Sequence, residues 1–203
     1  MPSKKITVKE ECLVRELYQN GLTGPEISLR IKVSVKQVYD SLRRQNIPRK
    51  DIAEQNRLKF QKSPLSFSFK KDKLSTREQD LLVAGVMLYY GEGAKTGHTV
   101  DFANSDPMLL RVFLKFLKDI CGVDEKKLRF YLYCFSDQDS QSLIRFWCSH
   151  LSVKRGQFTK PYVRSTLNRG KRTMTNGVLH IRYSDKRLLE KILMLGREVA
   201  STL

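Results

Sequence analysis

The run from Leu81 to Tyr90, LLVAGVMLYY, constrains this chain more than any other stretch. It follows Ser75 and Glu78, whose spacing is that of a capping box at a helix start, and every side chain in it is apolar or aromatic. Such a helix has no polar face to give to water, so it must be covered on more than one side. Gly85 beside Ala84 lowers helix propensity, which is understandable where another backbone has to approach closely. The run closes on Gly91-Glu92-Gly93, placing a carboxylate at the negative end of the helix dipole. That position disfavours an anion by about 0.3–1 kcal/mol, so it is a poor place for a purely structural glutamate.

With 203 residues and 40% hydrophobic composition, the chain can hold one ordinary domain plus a small one. No apolar run approaches the roughly 18 to 20 residues needed to span a bilayer. The lysines of MPSKKITVKEE are not followed by an apolar segment, so no signal peptide is expected. Cys12, Cys121, Cys134 and Cys148 are widely spaced without a CxxC pair, which argues against a zinc cluster and for reduced thiols serving as core fillers in a cytoplasmic protein, nucleoid-associated if its host is bacterial or archaeal. The three histidines have no zinc-like spacing either, and His150 in an amphipathic helix reads as structural.

The formal net charge is +17, an excess on the scale needed to neutralise a phosphate backbone. It is concentrated in two blocks. Residues 41–73 carry 10 Lys and Arg against 3 Asp and Glu, and residues 154–187 carry 10 against 1, so basic segments flank a nearly balanced middle. The first block contains Pro48 and Pro64 and loses helical periodicity after Phe60, so residues 48–74 read as a basic linker that opens with a short helix. The resulting division is residues 1–47, the linker, and residues 75–203.

Before the linker, residues 8–19 place Cys12, Leu13 and Leu17 on one helical face. Capping boxes at Thr23/Glu26 and Ser34/Gln37 then start two short helices, about 24–31 and 35–45, with a tight turn around Lys32 and Val33. Leu22, Ile27, Ile31, Val33, Val38 and Leu42 form the apolar set of a small three-helix core. Caps, spacing and apolar positions over residues 8–47 resemble a helix-turn-helix of the resolvase or homeodomain-like kind. The resemblance implies that the helix from 35 is the recognition helix, with Lys36, Gln37, Tyr39, Arg43 and Arg44 toward DNA and Arg49 and Lys50 as further DNA contacts.

After the linker the pattern mixes elements, giving an α+β class. A strand ends at Asn104, and Ser105 or Asp106 caps a helix with Pro107 at its start. KLRFYLYCF alternates, with Leu128, Phe130, Leu132 and Cys134 on one face and Arg129, Tyr131, Tyr133 and Phe135 on the other. SQSLIRFWCSHL reads as a helix, GVLHIRYS as a strand, and DKRLLEKILMLGREVAST as a closing helix.

GVMLYYGEG, residues 85–93, resembles without gaps the nine-residue signature of the LAGLIDADG homing endonucleases, and the two strand-to-helix units that follow are similar to that family's repeat. The signature's earlier acid falls on Tyr90, so only Glu92 retains one. The resemblance implies a LAGLIDADG-like helix and antiparallel-sheet domain over 75–203. It implies a homodimer packed through Ala84, Gly85, Leu88 and Tyr89, and Mg2+ or Mn2+ held by Glu92 with the Gly91 carbonyl. Lys95 becomes a candidate for stabilising transition-state charge. Double-stranded DNA would lie on the sheet, contacted by His98, Arg129, Tyr131, Tyr133 and Arg182 and by Lys160, Arg164, Arg169, Lys171 and Arg172 of the basic loop. The implied activity is metal-dependent hydrolysis of DNA phosphodiesters. Two alternatives stay open: a non-cleaving DNA-binding regulator on a degenerate fold of this kind, and an RNA-binding splicing cofactor.

Overall fold

The computed structural model describes residues 6–70, 72–165 and 174–202. The chain divides into two compact units, Met1–Pro64 and Leu65–Leu203. Residues 48–74, read as a linker, are therefore shared between the two.

The first unit contains α1 (Val8–Gln19), α2 (Gly24–Ile31), α3 (Val35–Arg44) and α4 (Ile52–Lys62). The glutamate of the Thr23/Glu26 box accepts from the Thr23 amide at 2.6 Å, and Gln37 accepts from the Ser34 amide at 2.9 Å. Thr7 and Glu10 make a further box at α1, a start signal that the sequence reading passed over. The turn between α2 and α3 rests on Lys32 in the left-handed conformation, φ 57°. Val14, Leu17, Tyr18, Ile27, Val38 and Leu42 form the core, with Leu22, Ile31 and Val33 packed at its edge. One face was misread: α1 turns Val14 and Tyr18 inward, while Cys12 is exposed and Leu13 is 39% exposed. Val14, Leu17 and Tyr18, at spacings of three and four, form the buried stripe, and Cys12 lies outside it, so Cys12 is not a core filler.

The second unit is a mixed α+β layer structure. Its elements are α5 (Thr76–Glu92), β1 (Val100–Asn104), α6 (Pro107–Lys115) continuing as a π-helical turn (Phe116–Ile120), β2 (Arg129–Phe135), α7 (Ser140–Leu151), β3 (Tyr162–Arg164), β4 (Val178–Tyr183) and α8 (Lys186–Thr202). The sheet order is β1-β4-β2-β3. β4 pairs antiparallel with both β1 and β2, but β3 runs parallel to β2, so the sheet is mixed and not the antiparallel one expected. The crossover through α7 brings the chain back to β2 in the same direction, which a hairpin cannot do.

One sheet face is apolar and fully buried: Val100 and Phe102, Phe130, Leu132 and Cys134, Leu179, Ile181 and Tyr183. The helices cover it. The segment before α5 is pinned here as well, because Ser66 donates to the buried Asp185 at 3.0 Å and receives the Tyr183 hydroxyl at 2.8 Å. Burial works to raise the Asp185 carboxyl, but hydrogen bonds from Arg187 and Ser66 prevail and hold it below the usual carboxylate range.

α5 sits as its composition demands. Its start is fixed by Ser75 and Glu78, and Lys70 with the Ser75 cap holds the Glu78 carboxyl down to about 2. Gly85 lies beneath Phe116 of the same chain: a Cβ there would stand 2.1 Å from the ring's Cγ and 2.5 Å from Cβ. Both atoms are at the rigid root of the side chain, so Phe116 cannot swing aside. Gly85 and Tyr89 are thus core residues of one chain and are not available to a partner, contrary to the expectation for them; the close approach foreseen for Gly85 is made by a ring of its own chain.

Gly85→Ala is therefore expected to destabilise the second unit by about 1–3 kcal/mol, because overpacking exceeds the roughly 1 kcal/mol gained in helix propensity. Thermal unfolding followed by circular dichroism checks this; an unchanged or raised midpoint would show that Phe116 yields.

Candidate nucleic-acid interface

The face of the sheet turned away from the helices is built by period-two alternation, which sends every second side chain of each strand outward. Register assembles them into rows. Asp101 of β1 stands beside Arg182 of β4 and then Arg129 of β2; Ala103 stands beside His180 and Tyr131; Val178 beside Tyr133 and Tyr162; and Phe135 beside Arg164.

The rows interlock. The Asp101 carboxylate accepts from Arg182 Nε at 2.8 Å and lies 2.8 Å from His180 Nδ1. The Arg182 guanidinium lies over the Tyr131 ring, 4.7 Å from its centroid, and Tyr131 meets His180 edge-on at 5.5 Å. Tyr133 stacks on Tyr162 at 5.4 Å and accepts from Arg164 at 3.4 Å. Arg129 is exposed, with one nitrogen donating to the carbonyls of Lys126 and Leu128 at 2.7 and 2.8 Å. The result is a surface of cations interleaved with aromatic rings.

Sequence reasoning found Arg129, Tyr131, Tyr133, Arg164 and Arg182, and the structure brings these five together. It missed Asp101, Tyr162 and His180. His180 had a usable signal, since it stands two residues before Arg182 on the same strand. Lys160 is exposed just before β3, and His98 is exposed in the turn before β1. Arg169, Lys171 and Arg172 lie outside the described residues.

The end of α5 is held against β1. Gly93 bridges Phe102, the Ala94 amide donates to the Asp101 carbonyl at 2.9 Å, and the Tyr89 hydroxyl donates to the Ala94 carbonyl at 2.6 Å. Glu92 is exposed there, and among the described residues no hydrogen bond or ion pair engages its carboxylate. Lys95 donates to the carbonyls of Gly91 and Gly93 at 3.3 and 3.2 Å, so its ammonium offsets the negative helix end.

This geometry bears on a divalent cation. A hard ion such as Mg2+ is commonly held by one or two carboxylates plus substrate phosphates and water. Glu92, exposed and unpaired, fits that small demand. The Gly91 carbonyl does not, because a cation already occupies it. Among the described residues no cluster of three or more His, Cys, Asp or Glu side chains is placed to hold a metal.

Beside Glu92 the exposed side of α5 forms an apolar groove with α6, lined by Ala84, Met87, Leu88, Gly91, Leu109 and Val112. Ala84 and Leu88 are thus open to a partner.

In the first unit the candidate contacts separate into free and engaged groups. Lys36 is exposed, and Arg43, 82% exposed, makes a surface pair with Asp40 at 3.1 Å. Gln37 serves as the cap of α3 and is not free to read a base. The Tyr39 ring fills the space at Gly24, where a Cβ would meet it at 2.5 Å, and Arg49 stacks on its outer side at 3.7 Å. Lys50 is folded inward, donating to the Tyr18 carbonyl and lying 3.9 Å over the Tyr18 ring, and desolvation pulls its ammonium below the usual lysine range. It is an internal strut and not the DNA contact expected. Arg44 pairs with Glu11 of α1 at 2.6 Å, but an exposed pair is worth only about 0–1 kcal/mol, so a phosphate can displace Glu11.

The two glycines around Glu92 differ in what demands them. A Cβ at Gly93 would stand 2.4 Å from the Tyr89 ring, whereas one at Gly91 would meet nothing within 4 Å. Gly91→Ala is expected to leave the chain as stable or up to about 1 kcal/mol more stable through helix propensity, and Gly93→Ala to destabilise it. Melting of the two variants side by side checks this, and equal effects would contradict the distinction.

No protein-family model matches this chain, and neither a curated protein nor a solved structure shows significant similarity to it.

Proposed function

We propose that this chain is a double-stranded DNA-binding protein whose second unit is a LAGLIDADG-like domain and whose first unit is a helix-turn-helix. The observation that carries the proposal is the exposed sheet face on which Arg129, Arg164 and Arg182 alternate with Tyr131, Tyr133 and Tyr162. Guanidinium groups supply bidentate donors to phosphate, and the rings between them offer apolar area to sugars and bases. The chain's charge of +17 gives that face its attraction for a polyanion. In the first unit, Lys36 and Arg43 of α3 are the groups left over for a major groove after Gln37 and Lys50 are spent on the fold.

Fluorescence anisotropy of the full chain on duplex DNA across a salt series tests this. Log affinity is expected to fall linearly with log salt, with a slope of about −0.9 per phosphate neutralised. Replacing Arg129 and Arg182 together with Ala is expected to flatten that slope by about two phosphates' worth. A salt-independent interaction, or none, would remove the DNA reading; stronger binding to single-stranded RNA would move the proposal to the splicing-cofactor alternative.

A second reading adds metal-dependent cleavage, and the unpaired Glu92 carboxylate at the end of α5 favours it. In that reading two copies pack through the Ala84, Met87, Leu88 and Gly91 side of α5, bringing both Glu92 carboxylates beside the DNA. A bound Mg2+ would supply Lewis acidity at a scissile phosphate. Glu92 would hold it, and Lys95 would steady the carbonyls at the end of the helix. Glu92→Gln is expected to keep DNA affinity and the sedimentation behaviour of a dimer while losing cleavage by orders of magnitude. A wild type that is monomeric, or that neither cuts DNA nor gains thermal stability with Mg2+ or Mn2+, would leave the non-cleaving regulator.

A further inference from the structure

His180 has no task in the reading above, although its surroundings are specific. It lies in mid-β4 with its side chain 23% exposed, and its Nδ1 is held by one oxygen of Asp101 while Arg182 Nε is held by the other. One carboxylate thus fixes an imidazole and a guanidinium side by side. Among the described residues no hydrogen bond engages His180 Nε2 or the terminal nitrogens of Arg182.

The charge around the imidazole can be enumerated from each neighbouring strand. On β1 it faces Asp101 and Ala103, on β2 Tyr131 with Arg129 in the adjacent row, and on its own strand Arg182. Two guanidinium groups and one carboxylate leave an imidazolium short of negative charge. A phosphate laid over the face supplies it and favours the charged ring. A neutral ring that donates Nδ1–H to Asp101 would instead turn a lone pair toward the phosphate oxygens, so contact requires the proton on Nε2.

We propose that His180 contacts a phosphodiester of duplex DNA as the imidazolium, positioned by Asp101 beside Arg182, so that the protein takes up a proton at this point of the sheet when it binds. The proton comes from solvent and is shared between Nε2 and a non-bridging phosphate oxygen; no covalent bond is made or broken. The inference rests on the DNA-binding reading and adds to it a pH-linked contact. It also gives Asp101, the acid of an otherwise basic and aromatic face, a reason to be there.

Two measurements on the full chain test it. In the first, the ring C–H resonances of the wild type are followed through pH titration by NMR, alone and with a short duplex. The chain has 3 histidines, so His98→Gln and His150→Gln suffice for assignment. The His180 midpoint is expected to move to higher pH with DNA. In the second, affinity is measured at constant ionic strength from about pH 5.5 to about 8, the range in which imidazole titrates. Wild-type affinity is expected to fall by up to about tenfold per pH unit toward the upper end, as uptake of one proton requires. In His180→Gln this dependence is expected to be lost; in Asp101→Asn it should shift to lower pH, because the imidazolium loses its counter-charge. The first measurement uses wild-type protein, so a poorly folded His180→Gln does not block the test. If wild type binds DNA but the His180 resonance does not move and the pH dependence survives in His180→Gln, the proton-linked contact is wrong and the DNA reading stands. If wild type binds no DNA anywhere in this range, both fail.

Discussion

The arrangement of the second unit depends on the buried tyrosine at position 89. Its ring stacks on Phe113 at 5.6 Å and lies over Gly93, and its hydroxyl donates to the Ala94 carbonyl while accepting from the Asp101 amide at 3.3 Å. Burial pushes the phenol up to about 12, so it remains a donor at any pH at which the protein works. These contacts stop α5, turn the chain at Gly93 and lay the turn along β1. Both features on which function is argued follow from that lock. Glu92 is held at the helix end one residue before the turn, and Asp101, whose backbone the lock grips, sends its carboxylate through to the other face of the sheet, where it organises His180 and Arg182. A single buried hydroxyl therefore links the helix end that carries Glu92 to the proposed binding face through one residue of β1.

Charge explains why that face is built from alternating rings and cations. A chain carrying +17 must distribute like charges whose repulsion opposes a compact fold. Several acids pair cations, as in Arg44 with Glu11, Lys70 with Glu78 and Arg187 with Asp185. On the sheet one acid serves Arg182 and His180, and the rest of the cationic field is moderated by ring faces, which carry negative quadrupole density and cost no further solubility. On the proposed reading, phosphates spaced along a duplex would cover several of these rows together.

Much of the fold was legible in the sequence because its signals are local. Helix starts at Ser34 and Ser75 depend on side chains three residues apart, and the inward set of β2 depends on alternation within seven residues. What was not legible is set by pairing at long range. The parallel placement of β3 against β2 follows from the crossover, and the three residues of β3 carry no buried side chain from which to read direction. The face of α1 was misassigned because Tyr18, amphipathic and therefore ambiguous, proved to be core while Cys12 did not. The candidate site divides similarly. Arginines on a strand announce themselves, but a histidine's significance lies in a carboxylate 79 residues away, and the engagement of Lys50 by Tyr18 spans 32.

The small residues of α5 show how one helix answers three demands. The side bearing Gly85 receives Phe116, and the side bearing Tyr90 meets Gly196 of α8, where a Cβ would stand 2.6 Å from the ring. Those two faces are closed by the chain itself and explain their own glycines. The third face, Ala84, Met87, Leu88 and Gly91, has spacing of three and four residues, is apolar, and remains open; the space beside Gly91 is empty to 4 Å. Among the described residues nothing requires a residue without a side chain at 91, and leucine or lysine would serve the helix better. Smallness at an open position, on an apolar stripe that ends in an unpaired carboxylate, is what the approach of a second helix backbone would require. The same smallness brings any such partner's carboxylate close to Glu92, where two like charges at two helix ends repel unless a cation or the tail of the interface relieves them. Pairing through this stripe and cation binding at its end are therefore two sides of one electrostatic constraint, which links the proposed dimer to the proposed cleavage and separates both from binding by the sheet.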